Sequence, residues 1–280
     1  MDANERALEE VTAGLRTGGV VPYLGPGMLA LAGGPPVPAS PLELVATITA
    51  KASVPHKIRQ RLTQAAQFIE NFKHRKTLVA RMDEAFTTVP EPGALHRAIA
   101  RFAPPLVVDT WYDDTMRAAL AATLDGGEWG ELQGLSQSEH FGTWTRAYDA
   151  AGRALDAPDP DWRTVLYRPM GGRRPASNYL VSDADFVEVL TEIDIQTPIP
   201  PVVQALRSGR GFLFLGCRFD DQLWRAFARQ VTKRSSARHW AVLPDPLTRM
   251  EARFLAEQSI GRIEAPLPEV ARALAQAVPA

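Results

Sequence analysis

Residues 24–29 read Leu-Gly-Pro-Gly-Met-Leu and follow the apolar run Val20-Val21-Pro22-Tyr23. Two glycines just past a short apolar strand allow the backbone to come close to a pyrophosphate, and amides at a following helix start would face its charge. Gly25, Pro26, Gly27, Met28, Leu29 and Ala30 fit the pattern G-x-G-x-x-A of dinucleotide loops, with Gly25 at the turn and Gly27 at the close approach. The plainer alternative is a strand-ending turn with no ligand. A conventional dinucleotide domain also needs an acid about 20 residues on, to hold a ribose. Glu43 stands near that distance, but it follows Ser40 by three residues, and a capping box explains it more simply. Pro26 and the Pro-rich stretch 32–40 also disfavour an ordinary dehydrogenase crossover.

Other reactive residue types are sparse. Cys217 is the single cysteine, which rules out an intrachain disulfide and any zinc site built from cysteine pairs. The histidines at 56, 74, 96, 140 and 239 are scattered, and no pair has metal-ligand spacing. No metal is expected.

The elements that must position the glycine loop follow from apolar patterning. Val20–Leu24, Pro104–Thr110, Thr164–Arg168, Phe212–Gly216 and His239–Pro244 read as short buried strands, and residues 261–265 as a further strand segment. Helices are predicted over 4–17, across most of 40–102, from Asp113, over 182–193, 199–209, 220–231 and 247–257, and at the end of the chain. Ser40, Pro41 and Glu43 mark one helix start, and Ser182 with Asp185 marks another. In the second, Phe186, Val189, Leu190 and Ile193 form the apolar face. Residues 124–165 show no regular pattern before Thr164, and 156–162 and 169–177 read as loops. Strands alternate with helices, so the fold class is α/β, a Rossmann-like, mostly parallel sheet with helices on both faces. The helical stretch 40–102 is too long for a simple crossover and reads as a small inserted lid within a single 280-residue domain.

Composition narrows the partners. At 45% hydrophobic and 22% charged, with net charge −1, the chain has no basic balance pointing to nucleic acid or a membrane surface. Its apolar runs are too short to span a bilayer, and the polar start MDANERALEE is no secretory signal, so a cytoplasmic protein is expected. A protein partner and self-association are left open.

Several segments, taken together and in order, resemble the SIR2-like (sirtuin-related) family, in particular its zinc-free bacterial branch. VVPYLGPGML resembles that family's strand and Gly-x-Gly loop, and HRAIARFAPPLVVDTWYDD its segment ending Thr-Asn-Tyr-Asp. VLYRPMGG resembles the segment with the His-Gly pair, and YLVSDADFVEVL and FLFLGCRFDDQLWRAF resemble two later blocks. The resemblance implies a modified Rossmann sheet and an NAD or ADP-ribose-like ligand over the first loop. The implied contacts are Gly25, Pro26, Gly27, Met28, Thr110, Trp111, Asp113, Met170, Gly171, Gly216, Cys217 and Arg218.

The departures bear on activity. Pro26 and Met28 stand where the family usually carries Ala and Ser, Trp111 where it carries the Asn that positions water and ribose, and Met170 where it carries the catalytic His. Histidine can take a proton near neutral pH, since its unperturbed pKa is about 6.5. A thioether cannot, and an indole only donates. The lone cysteine also departs from the four zinc-binding cysteines of protein deacylases. The resemblance therefore implies a binder of NAD or a related nucleotide with weak or no turnover. A divergent NAD glycohydrolase using His140 or His239 as a relocated base, and an assembly module closed by Trp111 and the methionines, are the alternatives.

Single residues carry paired readings. Asp113 is a ribose contact or a helix cap, and Trp111 a stacking platform or core. Gly216 suits close backbone approach at the carboxyl edge of the sheet. Arg218 is a phosphate ligand or half of a surface ion pair, and Cys217 a small buried residue rather than a nucleophile. Arg173 and Arg174 in GGRRP can grip a phosphate or lie solvated. KHRK at 73–76 reads as a solvated helix connection, and Tyr167 and Met170 as pocket lining.

Overall fold

The computed structural model describes residues 2–34, 36–192, 198–236 and 238–278. In chain order the first half gives α1 (Ala3–Arg16), β1 (Val20–Leu24), a 3-10 segment (Pro26–Leu31), α2 (Pro41–Thr49), α3 (Leu62–Lys73), α4 (Arg75–Ala85), α5 (Ala94–Phe102), β2 (Leu106–Asp109) and α6 (Thr115–Ala121). Then come β3 (Trp129–Gly134), β4 (Thr145–Asp149), β5 (Ala154–Leu155), β6 (Thr164–Arg168), β7 (Gly171–Gly172) and β8 (Asn178–Tyr179). The chain closes with α7 (Asp183–Glu192), α8 (Pro201–Arg207), β9 (Gly211–Leu215), α9 (Gln222–Thr232), β10 (His239–Val242), α10 (Arg249–Glu257), β11 (Ile260–Ile263) and α11 (Leu267–Gln276).

The main sheet has the order β11-β10-β9-β1-β2-β6-β3-β4-β5. It is parallel from β11 to β3, and β4 and β5 add antiparallel at one edge. Strand residues alternate between two packed faces, which is why the central strands read as unbroken apolar runs. Val20, Leu24, Val107, Leu166, Leu213 and Leu215 pack with α1, α5, α6 and α11. Val21, Tyr23, Val108, Phe212 and Phe214 pack with α2–α4 and α7–α10. Each fully buried Leu, Val or Phe contributes about 1.5–3 kcal/mol through burial. The α/β Rossmann-like class expected from the alternation is the observed one.

Helix starts are written locally. Ser40 Oγ accepts from Glu43 N (3.2 Å) with Pro41 at the first helical position, so Glu43 works as a start signal for α2. At α7, Asp185 N donates to Ser182 Oγ (3.3 Å) and Ser182 N to Asp185 Oδ2 (3.0 Å), a reciprocal cap. Phe186 and Val189 are buried on its apolar face and Leu190 packs partly against the core. Ile193, also expected there, lies outside the described residues.

The stretch before Thr164 is a correction. It holds β3 and β4, paired antiparallel from Gly130↔Asp149 to Gly134↔Thr145. The apolar signal is missing because Glu131 and Gln133 point inward and are satisfied by partners far along the chain. Glu131 meets Arg168 (3.2 Å) and Arg117 (3.1 Å), and Gln133 meets Asn178 (2.8 Å).

Residues 73–76 are a second correction, because Arg75 is not solvated. Its guanidinium donates to Asp185 Oδ2 (2.9 Å), Glu139 Oε2 (3.0 Å), Glu70 Oε2 (3.3 Å) and the Tyr179 carbonyl. Only 11% of that side chain is exposed, and that of Asp185 is fully buried. Tyr179 and Ser177 hydroxyls both donate to Asp83 Oδ1 at 2.7 Å. Ala184 N donates to Gln67 Oε1 at 2.7 Å. Helices α2, α3 and α4 pack on one another, and these bonds fasten α3 and α4 to α7, β8 and the loop after β3, whereas α5 packs on α6 and α11. No described helix is long and apolar enough to cross a membrane.

Removing one member of a buried ion cluster strands the others. Arg75→Ala is expected to cost about 3–5 kcal/mol in urea unfolding, with the loss of protection from hydrogen exchange concentrated in α3 and α4. His96 is buried in α5, where its Nδ1 accepts from Gly93 N. Burial, with a smaller push from Arg97, lowers its pKa to about 4. The folded state thus resists protonation. The stability tied to His96 is complete above its unfolded pKa of about 6.5 and is lost as pH falls from there toward the folded value. His96→Gln is expected to flatten the stability profile in that window, measured by urea unfolding at stepped pH.

Candidate functional site

In open α/β sheets ligands bind outside the carboxyl ends of the strands, where the strand order reverses. Here the chain passes from β1 to β2 on one side and later returns through β9 to the other. The switch point is therefore β1/β9, and the loops leaving these strands carry Gly25–Met28 and Gly216–Arg218.

The two loops touch through their backbones. Gly25 N donates to Leu215 O (2.9 Å), Gly27 N to Gly216 O (2.9 Å), and Met28 N to Gly25 O (3.1 Å). A Cβ on Gly25 would stand 2.7 Å from Gly216 O, and one on Gly27 2.8 Å from the same oxygen. Gly216 has φ +64°, and a Cβ there would stand 2.3 Å from Met28 N. All three glycines are thus required by the approach of one loop to the other. Pro26 begins the 3-10 segment and has no N–H. Met28 is buried.

Beside this contact, the β2 loop turns inward. Thr110 N and Oγ1 both donate to Leu24 O, at 2.9 and 2.8 Å, tying β2 to β1. Trp111 is 1% exposed; its indole N–H donates to the Pro38 carbonyl (2.7 Å) and its ring packs edge-on against Phe86. Tyr112 is equally enclosed and donates to Leu180 O (2.7 Å). Asp113 Oδ1 accepts from Thr115 N (2.9 Å), the first amide of α6, from one residue ahead of the N-cap Asp114. Met170 is fully buried, and Gly171, at φ +73°, has no room for a side chain against the Asn178 carbonyl. Tyr167 is likewise core.

Arg218, Cys217 and Asp109 at this edge are each engaged within the protein. Arg218 donates from Nε to Glu251 Oε1 (2.8 Å) and from NH2 to Oε2 (2.9 Å), a bidentate pair, with Asp245 at 3.3 Å. Glu251 also accepts from Thr248 N and Phe219 N, so it locks the β9 loop to the start of α10. Cys217 is buried, and that burial pushes its thiol well above the usual range, away from a nucleophilic thiolate. Asp109, at the end of β2, accepts from Trp111 N (3.2 Å). Its burial, and then the neighbouring Asp113, push its pKa well above the usual carboxylate value. His239 lies at the amino end of β10, the opposite edge of the sheet, and accepts from Phe212 N (3.1 Å). His140 sits in the β3–β4 loop.

The expected residues therefore gather at one sheet edge, but as a packed seam of backbone bonds and buried side chains. Sequence reasoning missed its fastenings, Glu251 for Arg218, the Pro38 carbonyl for Trp111 and Arg75 for the helices above. These partners are remote in sequence, and no local pattern announces them.

A family model described as a SIR2-like domain matches residues 105–263. This span is more than half of the chain and runs from just before β2 through β11. The chain belongs to the SIR2-like family, whose fold is sirtuin-related and NAD-associated. No curated protein matches it.

Gly216→Ala combines a strained φ with a backbone clash. It is expected to destabilise by at least about 2 kcal/mol, against about 1 kcal/mol for Gly209→Ala, which shares the positive φ but meets open space. Paired urea titrations of the two variants check the difference.

Proposed function

We propose that this chain is a SIR2-like domain that does not cleave NAD and acts as an interaction module through its outer surface. One observation carries the reading. Across residues 25–28 the amides of Gly25, Gly27 and Met28 are bonded within the protein, and Pro26 has none to offer. A pyrophosphate over this loop needs free, outward-facing N–H groups. The chemistry agrees, since Met170 and Trp111 are buried where the resemblance implies the base and the water-positioning amide. Neither side chain accepts a proton near neutral pH.

A nucleotide-holding module without turnover is the second reading. The placement of Gly25–Met28 at the switch point of the sheet favours it. It requires the β1 and β9 loops to part and release their mutual bonds.

Calorimetry with NAD and with ADP-ribose, alongside nicotinamide release from NAD, separates the readings. The first predicts neither binding heat at millimolar ligand nor nicotinamide. Saturable heat without release supports the second, and nicotinamide release overturns both.

A further inference from the structure

The β3–β4 loop and helix α7 are both held on the α3–α4 layer through one guanidinium. Arg75, the first residue of α4, meets Asp185 of α7 (2.9 Å), Glu139 of the loop (3.0 Å) and Glu70 of α3 (3.3 Å). Two serines of the same loop join the cluster. Ser136 Oγ donates to Asp185 Oδ1 (2.6 Å), and Ser138 Oγ to Glu70 Oε1 (2.9 Å). The loop also carries Phe141, an aromatic side chain that is 95% exposed. How firmly this aromatic is presented depends on the cluster.

A fourth carboxylate stands one helical turn beyond Asp185. Glu188 follows it by three residues, the spacing that puts side chains on one face of a helix. The four carboxylates differ in what they receive. Asp185 accepts from Val181 N (2.8 Å) and Ser182 N (3.0 Å) besides Arg75 and Ser136, and Glu70 and Glu139 each take a share of Arg75. Among the described residues no donor reaches the Glu188 carboxylate, whose Oε2 is enclosed. The charges acting on it are Asp185 on its own helix, Glu70 on α3 and Arg75 on α4. Glu192 continues the row on α7, and Lys73, His74 and Lys76 beside Arg75 are exposed. Helix α9 also packs on α7, through Trp224 against Phe186, and its arginines are engaged elsewhere. Arg225 donates to the Phe219 and Asp220 carbonyls, and Arg229 meets Glu257 (3.8 Å). Glu188 is thus the carboxylate of the cluster whose charge is not compensated.

We propose that Glu188 is a pH-sensitive control on this fastening: when its carboxylate takes up a proton below neutral pH, the β3–β4 loop and α7 are held more firmly on α3 and α4, and when it loses the proton they loosen. Burial, followed by Asp185 and Glu70, raises its pKa above the ordinary value, and Arg75 opposes this more weakly. The folded state therefore binds the proton more tightly than the unfolded chain does. The stability this contributes is complete below the unfolded pKa of about 4.3 and is lost as pH rises through the folded value. The control is independent of whether the β1/β9 seam is closed.

The test compares the full chain with Glu188→Gln, reading amide exchange in residues 136–143 and α7, relative to intrinsic rates, from neutral pH down to about 4.5. At neutral pH the variant should be better protected in both segments by about twofold or more, the scale of relieving like charges one turn apart. The gap should close as pH falls, because the Glu188 carboxylate is then neutral as well. His96 weakens both chains alike in acid and leaves their difference untouched. Asp183→Asn removes a charge from the favourable first turn of the same helix and should bring no gain. Equal protection at neutral pH, a gain that does not change with pH, or the same gain in Asp183→Asn overturns the proposal.

Discussion

The contact between the β1 and β9 loops sets the character of this molecule. Gly25 and Gly27 stand so close to the Gly216 carbonyl that neither can carry a side chain, and Gly216 must take a left-handed backbone against Met28. The bonds that close this contact use the amides that such a loop would otherwise turn toward an anion. A glycine pair selected for ligand approach and one selected for loop approach look alike in sequence. They differ in where the N–H groups go, because buried backbone donors are almost always satisfied.

The layers above the contact reinforce it. Trp111 takes the space next to β2 and is fixed by the Pro38 carbonyl and the edge of Phe86. Phe86 follows α4, whose first residue, Arg75, is anchored by Asp185, Glu139 and Glu70. The α2–α4 layer is therefore held by charge-assisted bonds to α7 and to the loop after β3 as well as by apolar packing. The family relationship identifies the sheet, and Trp111 and Met170 are buried core residues beside it.

Much of the sheet was legible because buried parallel strands announce themselves. FLFLG and VVPYL need no partner information to be read, and Ser40 and Ser182 mark helix starts through contacts three residues away. The β3–β4 hairpin was not legible, since Glu131 and Gln133 are inward-facing polar residues whose partners are distant. Arg75 was misread for the same reason, two of its three carboxylates lying 64 and 110 residues on. At the candidate site the residue set came through and the bonding did not. Arg218 reads equally as phosphate ligand or ion-pair partner until Glu251 is seen folded against it.

Amide hydrogen exchange at Gly25, Gly27 and Met28, with and without NAD, tests the central claim most directly. A closed seam predicts protection of all three amides comparable to that of β1 and β9, unchanged by millimolar NAD. Rapid exchange in the free protein, slowed by NAD, would contradict it and return these amides to a nucleotide.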